Sequence, residues 1–245
     1  MQQLIGDMFY AHIIKVIGFN NNDMNGWRLS SGAWSPIYIN LREIGKEPEI
    51  YNSIVNLMAQ QIKANTGTFA TLVGVPTMGV PLSAAVSYAS SRRLAIIRQN
   101  NKEHPDRPHE KLEGKPKPSH PVILIDDVLT TGNAVYKVIQ FLRSEGILSS
   151  DIKELHVVVD RDNGRTLIPQ YSTAPYPITI RALFTMTDIV KYLMGSVVIE
   201  ESTIAALESY NQAPSIFKDA SDFWQFKYNF LRNKYGDHSP TDKRI

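Results

Sequence analysis

Asp126 and Asp127 stand side by side after the apolar run Val122-Ile123-Leu124-Ile125, and Val128, Leu129, Thr130, Thr131 and Gly132 follow them. An apolar run, two acids, a turn of small hydroxyl residues and an amphipathic stretch are the parts of a strand, turn and helix. In the first turn of such a helix the backbone N–H groups can bind an anion. The hydroxyls of Thr130 and Thr131 would complete a cup for a phosphate monoester, and Gly132 would let the backbone come close. The carboxylates would then lie beside the sugar carrying that phosphate, accepting hydrogen bonds from ribose hydroxyls or holding the waters of a magnesium ion. Taken singly, each feature has an ordinary explanation, since threonines cap helices and acids end strands in solvent. Two adjacent carboxylates repel one another, however, and at the end of a strand that buries its other residues they call for a ligand or a cation.

The surrounding pattern supplies elements to hold such a junction. Residues 71–75, 94–97, 122–125 and 155–160 read as strands, and 48–64, 80–90 and 134–145 as helices. Strands alternating with helices predict an α/β fold whose central, mainly parallel sheet is covered on both faces, with ligands at the carboxyl ends of its strands. Upstream, 8–17 has helical spacing, and 27–41 is strand-like with a turn at Ser30-Ser31-Gly32. Residues 99–120 hold four prolines and many charges, too long a stretch for an idle connection. After Ala213 the chain is rich in aromatics (Phe217, Phe223, Trp224, Phe226, Tyr228, Phe230, Tyr235), which predicts a docked helix.

Composition narrows the chemistry. The 245 residues suit one large domain with a small appendage, and 43% hydrophobic with 20% charged residues excludes a largely disordered chain. The absence of cysteine excludes disulfides, thiolate metal sites and thiol nucleophiles. A formal charge of +2 is too small for a general polyanion binder, but 92–117 carries eight Lys/Arg against four acids, so a local excess of positive charge sits there. The start, MQQLIGDMFY, lacks the pattern of a secretory signal, which predicts a cytoplasmic protein. The uncharged run 64–91 is broken by Gly67, Gly74, Pro76, Gly79 and Pro81, so no membrane span is expected.

The run from Val122 to Gly132 resembles the phosphoribosyl pyrophosphate (PRPP) motif of type I phosphoribosyltransferases. Three further stretches resemble the orotate phosphoribosyltransferases, in the same order. They are 29–42, beginning Leu29-Ser30-Ser31-Gly32-Ala33-Trp34-Ser35-Pro36, then Gly74-Val75-Pro76-Thr77-Met78-Gly79, and then Val159-Asp160-Arg161-Asp162-Asn163-Gly164. Ordered matches are far more specific than one short motif. The similarity runs from about the first helix to about Ser209.

The resemblance implies a type I phosphoribosyltransferase fold over 1–212, with a small hood at about 1–45, a lid at about 99–120, and a helical extension over 213–245. It implies transfer of the 5-phosphoribosyl group from PRPP to orotate, giving orotidine 5′-monophosphate and pyrophosphate, with magnesium as cofactor and a homodimer whose lid acts across subunits. PRPP would be bound by Thr77, Met78, Arg98, Gln99, Lys102, His104, Asp126, Asp127, Val128, Leu129, Thr130, Thr131, Gly132, Asn133 and Ala134. Lys102, His104, Asp126 and Asp127 would carry the catalysis. Magnesium would be held mainly by PRPP, with no direct protein ligand and at most water-mediated contact to Asp126 or Asp127. Orotate would meet Ser30, Trp34, Ser35, Thr130 and Arg161, the last offering a planar fork that matches a carboxylate. The lid departs from the family pattern, with Gln99 where a lysine is usual and Pro105 where a glycine is usual. Losing one preorganised donor costs about a hundredfold to a thousandfold in rate, so a slow enzyme would fit. Two other readings stay open: a PRPP-sensing regulator that binds nucleic acid, against which the near-neutral charge argues, and a phosphoribosyltransferase for another base.

Overall fold

The computed structural model describes residues 1–19, 23–29, 31–98, 111–161, 178–195 and 199–236. Helix α1 (Gln2–Tyr10) opens the chain, and strand β1 (Ile14–Val16) follows after a turn. The single helix expected over 8–17 therefore ends early. From Ile13 to Ile17 the residues are β-branched apart from Lys15, and such side chains pack better on a pleated surface than along a helix. β1 pairs antiparallel with β4 (Ile37–Ile39), setting Ile14 opposite Ile39 and Val16 opposite Ile37, all four buried. Between them, β2 (Trp27–Arg28) and β3 (Trp34–Ser35) form a short hairpin, with Gly32 at φ +84° in its turn. That left-handed conformation favours glycine.

Helix α2 (Pro48–Asn65) has proline in its first turn and buries Ile50, Ile54, Met58 and Ile62 along one stripe. Then come β5 (Thr71–Gly74), α3 (Gly79–Ser90), β6 (Arg93–Ile97), β7 (Leu112–Glu113), β8 (Val122–Leu129), α4 (Asn133–Ser144), β9 (Ile152–Asp160) and β10 (Thr179–Thr185). Their sheet has the order β10-β9-β8-β5-β6-β7, parallel throughout except that β7 runs against β6. Alternate residues of β8 serve its two faces. Val122 and Leu124 join Val135, Val138, Ile139 and Leu142 of α4 in one apolar core, while α3 packs against β5, β6 and β8 and also against α2. A sheet buried on both faces needs strands that are almost wholly apolar, as the first four residues of β8 are.

Two differences bear on the site. β8 does not stop at Ile125: Asp126 lies in register with Val157 and Val128 with Val159, so the acids belong to the strand itself. Part of the charged stretch expected to be all loop is the edge strand β7, where Leu112 is buried opposite Ile97.

The chain finishes with α5 (Met186–Met194), α6 (Glu201–Gln212) and α7 (Ala220–Tyr235). α5 meets α1 and α6, and α6 meets α7. Two compact units result, Gly45–Thr185 and a second made from Met1–Ile44 with Met186–Ile245. Within the second unit α5 and α6 pack with α1 and α7. Asp219 caps α7, its carboxylate accepting the N–H groups of Ser221 and Asp222. Its stripe is half docked: Phe217 and Phe223 are buried, while Tyr228 and Tyr235 are exposed. Among the described residues no helix is long and apolar enough to cross a membrane.

Candidate active site

β8 delivers Asp126 and Asp127 to the carboxyl end of the sheet in different environments. Asp126 is 7% exposed, its Oδ1 accepting the backbone N–H of Asp127 at 2.9 Å, whereas Asp127 is half-exposed. Leu129 is buried, Thr130 and Thr131 are half-buried, and Gly132 caps α4 at φ +80°. A glycine cap brings no side chain to the first-turn amides. Those N–H groups, beside two threonine hydroxyls, are an anion-binding arrangement at the positive end of the helix dipole. Asn133 and Ala134, the first residues of α4, are exposed.

A second segment is seated against the same strand end. The Val75 N–H donates to the Ile125 carbonyl oxygen at 2.8 Å, and a Cβ placed on Gly79 would fall against that oxygen too. A Cβ on Gly74 would meet the Gly79 carbonyl. Only glycine at 74 and 79 lets α3 start this close to β8. The turn between them, in which the Pro76–Thr77 peptide is cis, therefore sits beside Asp126, with Thr77 exposed and Met78 half-buried.

From the other side β9 contributes Arg161, whose N–H donates to the Leu129 carbonyl at 3.0 Å. Arg98 follows β6, its N–H bonded to the Lys111 carbonyl at 2.9 Å and its Nε 3.4 Å from Glu113 Oε1. Thr77, Met78, Asp126, Asp127, the 128–134 turn and Arg161 are thus gathered at the carboxyl ends of adjacent parallel strands, where open α/β sheets bind ligands. Ser30, Gln99, Lys102 and His104 lie outside the described residues.

Residues 40–173, more than half of the chain, match the phosphoribosyl transferase domain. The chain belongs to the phosphoribosyltransferase family. Orotate phosphoribosyltransferase of Thermococcus kodakarensis is 32% identical over 149 residues, covering 60% of this phosphoribosyltransferase and 78% of the relative. The corresponding enzyme of Sulfurisphaera tokodaii is 26% identical over 182 residues, covering 74% and 87%. Among solved structures, orotate phosphoribosyltransferase from Aeropyrum pernix superposes with a TM-score of 0.59 at 25% identity, covering 79% of this chain and 99% of that one. UMP synthase of Leishmania donovani gives 0.66 at 23%, covering 86% of this chain but only 42% of that longer protein, and supports the fold alone.

Burial, reinforced by the neighbouring Asp127 charge, holds the Asp126 carboxyl well above the usual carboxylate range. Behind the site lies a polar cluster that the sequence reading did not single out. His156, fully buried and in register with Ile125, lies 2.7 Å from Glu154 Oε2 through Nε2 and 2.9 Å from Gln61 Oε1 through Nδ1. Arg181 Nη2 donates to Glu154 Oε1 at 3.0 Å. Burial works to raise the Glu154 carboxyl, but hydrogen bonds from His156 and Arg181 outweigh it and leave its pKa lowered. The signal available in the sequence was Glu154-Leu155-His156, two polar residues two apart in an apolar strand and so on one face.

Trp34 and Ser35, expected to line a base pocket, belong to the unit built from the chain ends and have internal partners there. Trp34 is 5% exposed, donates its indole N–H to the Asn25 carbonyl at 2.8 Å, and packs on Phe217 and Phe223. Ser35 is fully buried, its hydroxyl donating to the Ile37 carbonyl at 2.7 Å. Both side chains serve the packing of the hairpin.

Proposed function

We propose that this phosphoribosyltransferase transfers the 5-phosphoribosyl group of PRPP to orotate. The bond from the anomeric carbon to the pyrophosphate oxygen breaks, a bond to the base nitrogen forms with inversion, and the transition state resembles an oxocarbenium ion. The observation that carries this reading is the convergence of Asp126-Asp127, the Gly132-capped start of α4 and the Gly74–Gly79 turn at one strand end. The identity to orotate phosphoribosyltransferases supports the choice of base.

In this reading the α4 amides with Thr130 and Thr131 hold the 5′-phosphate, and backbone from 128 to 134 shapes the cup. Asp127 and Asp126 accept the ribose hydroxyls and offset positive charge developing on the sugar. Thr77 and Met78 border the pyrophosphate, and Arg161 with Thr130 faces the orotate ring. Arg98, Gln99, Lys102 and His104 supply donors and positive charge to the departing pyrophosphate, with Lys102 foremost.

Magnesium fits this donor set. Asp126 and Asp127 offer hard oxygen to an ion most of whose ligands would come from PRPP and water. When bound it would neutralise charge building on the pyrophosphate. A homodimer whose lid crosses to the neighbouring subunit, and a cytoplasmic place in pyrimidine synthesis, complete the proposal.

The test is a PRPP-dependent assay across orotate, uracil, adenine and hypoxanthine, with and without magnesium. Pyrophosphate release with orotate and magnesium alone is the expected result. Release with another base would reassign the acceptor, and none with any base would overturn the reading.

A further inference from the structure

The polar cluster behind the site sets a fully buried ring between two oxygens. His156 Nδ1 lies 2.9 Å from Gln61 Oε1, and its Nε2 lies 2.7 Å from Glu154 Oε2. The Gln61 amide is oriented by its other end, where Nε2 donates to the Ala182 carbonyl at 3.5 Å. Turned over, that amide would set its oxygen against a carbonyl oxygen, two acceptors face to face. Both ring nitrogens therefore meet oxygens that can only accept, and a ring so placed satisfies both only with a proton on each nitrogen. A buried cation persists only when it is paired. Glu154 supplies the pairing, because its Oε2 meets His156 while its Oε1 takes Nη2 of Arg181. Arg181 stands in register with His156 on β10 and is partly open to solvent, so water screens the second cation. Of the other elements against the ring, α2 brings the uncharged Gln61 and β8 the apolar Ile125.

We infer that His156 is held as an imidazolium and is a positioning residue, an internal cation that ties α2 and β10 to the part of β9 on which the acidic end of β8 is registered. The consequence for the site follows the strand. His156 pairs with Ile125, and the residues after it pair with the site itself: Val157 with Asp126, Val159 with Val128 and Asp160 with Leu129. Next along, the Arg161 N–H donates to the Leu129 carbonyl. A charged, directional hydrogen bond at the root of this run restrains it more than an apolar contact would. In its effect on substrate the inference rests on the proposed use of PRPP, whereas the charge on the ring does not.

Nitrogen NMR of the isotope-labelled full chain at neutral pH should show both ring nitrogens of His156 protonated, the signals being assigned by their loss in His156→Gln. One bare ring nitrogen would overturn the inference. In His156→Gln the KM for PRPP should rise about tenfold, the size of one lost hydrogen bond to a charged group, while kcat and the KM for orotate stay within about twofold. Hydrogen exchange of the amides at 126–129 should accelerate with it. A folded variant with unchanged PRPP KM and unchanged exchange would remove the positioning role and overturn the inference. Should His156→Gln not fold, Gln61→Met takes away only the Nδ1 acceptor, at a half-buried position of α2. Its ring signals should shift and its PRPP KM rise by a smaller factor, and neither change would count against the inference as before. If the unmodified chain turns over no base, the proposed function fails, and the ring signals with the exchange at 126–129 still decide this inference.

Discussion

Asp126 is held by the acid beside it: its Oδ1 accepts the Asp127 backbone N–H at 2.9 Å, and the residue is only 7% exposed. Burial and the Asp127 charge raise its pKa. An unfolded aspartate ionises near about 3.9, whereas folded Asp126 keeps its proton to higher pH. The unfolded chain is therefore favoured progressively as pH rises from the ordinary value through the raised one. Asp126→Asn removes that loss. Denaturant titrations should show the unliganded variant gaining stability over the parent from pH 4 toward neutrality. A parent and Asp126→Asn variant with parallel pH profiles would contradict the burial argument.

Activity should move the other way. Asp126→Asn combined with Asp127→Asn is expected to cut kcat/KM by about a thousandfold or more, with circular dichroism unchanged. Turnover retained in the double variant would remove these acids from the ribose site.

The proposed lid can be tested through Lys102 and Gln99. Lys102→Ala should lower kcat more than PRPP affinity, the mark of an interaction made mainly in the transition state. Mixed dimers of Lys102→Ala with Asp127→Asn should recover part of the parental activity if the lid serves the neighbouring subunit, and none if it serves its own. Gln99→Lys, which restores the family's usual charge, should speed turnover, and an unchanged rate would mean that another donor compensates.

Gly79→Ala tests the seating of α3 on β8. A Cβ there would press on the Ile125 carbonyl, and forcing bulk into such a contact costs about 1–3 kcal/mol. Because the carbonyl directly precedes Asp126, lost stability should come with lost PRPP affinity. Thermal unfolding and a PRPP titration on one sample would show whether the two travel together.

Glu154 should give the opposite pH response to Asp126. Its folded pKa is lowered by the His156 and Arg181 hydrogen bonds against the opposing effect of burial. Its contribution is thus complete above the ordinary glutamate value of about 4.3 and is lost as pH falls through the lowered one. Removing one partner of a buried pair costs about 3 kcal/mol, so Glu154→Gln should unfold at markedly lower denaturant at neutral pH and lose less than the parent on acidification. Urea midpoints at pH 7 and pH 3.5 would decide it.

What could be read in advance follows the range over which each feature is determined. The Thr130-Thr131-Gly132 turn and the adjoining acids were legible because strand, turn and helix start are set by neighbours in sequence. The length of β8 was not. Two charged residues stay in a strand only because β9 lies in register beside them, and that pairing is a tertiary fact. The helix expected over 8–17 failed for the same reason: Ile14 and Val16 suit either pattern until β4 supplies partners. Trp34 shows the limit most clearly. No local pattern shows that Phe217 and Phe223 pack on its ring, or that the neighbouring turn is bonded by a residue 200 positions away.

That one unit is made from both ends of the chain has a consequence for biosynthesis. A ribosome delivers Met1–Ile44 first and Met186–Ile245 last, with all of Gly45–Thr185 between them. The larger unit has its full set of strands while the early segment still lacks α5, α6 and α7, leaving Trp34 without Phe217 and Phe223 to cover it. Apolar surface exposed during translation is what chaperones capture and what aggregates when they do not. A ribosome stalled before Phe217 would therefore leave a nascent chain able to build its sheet yet unable to close its amino-terminal segment.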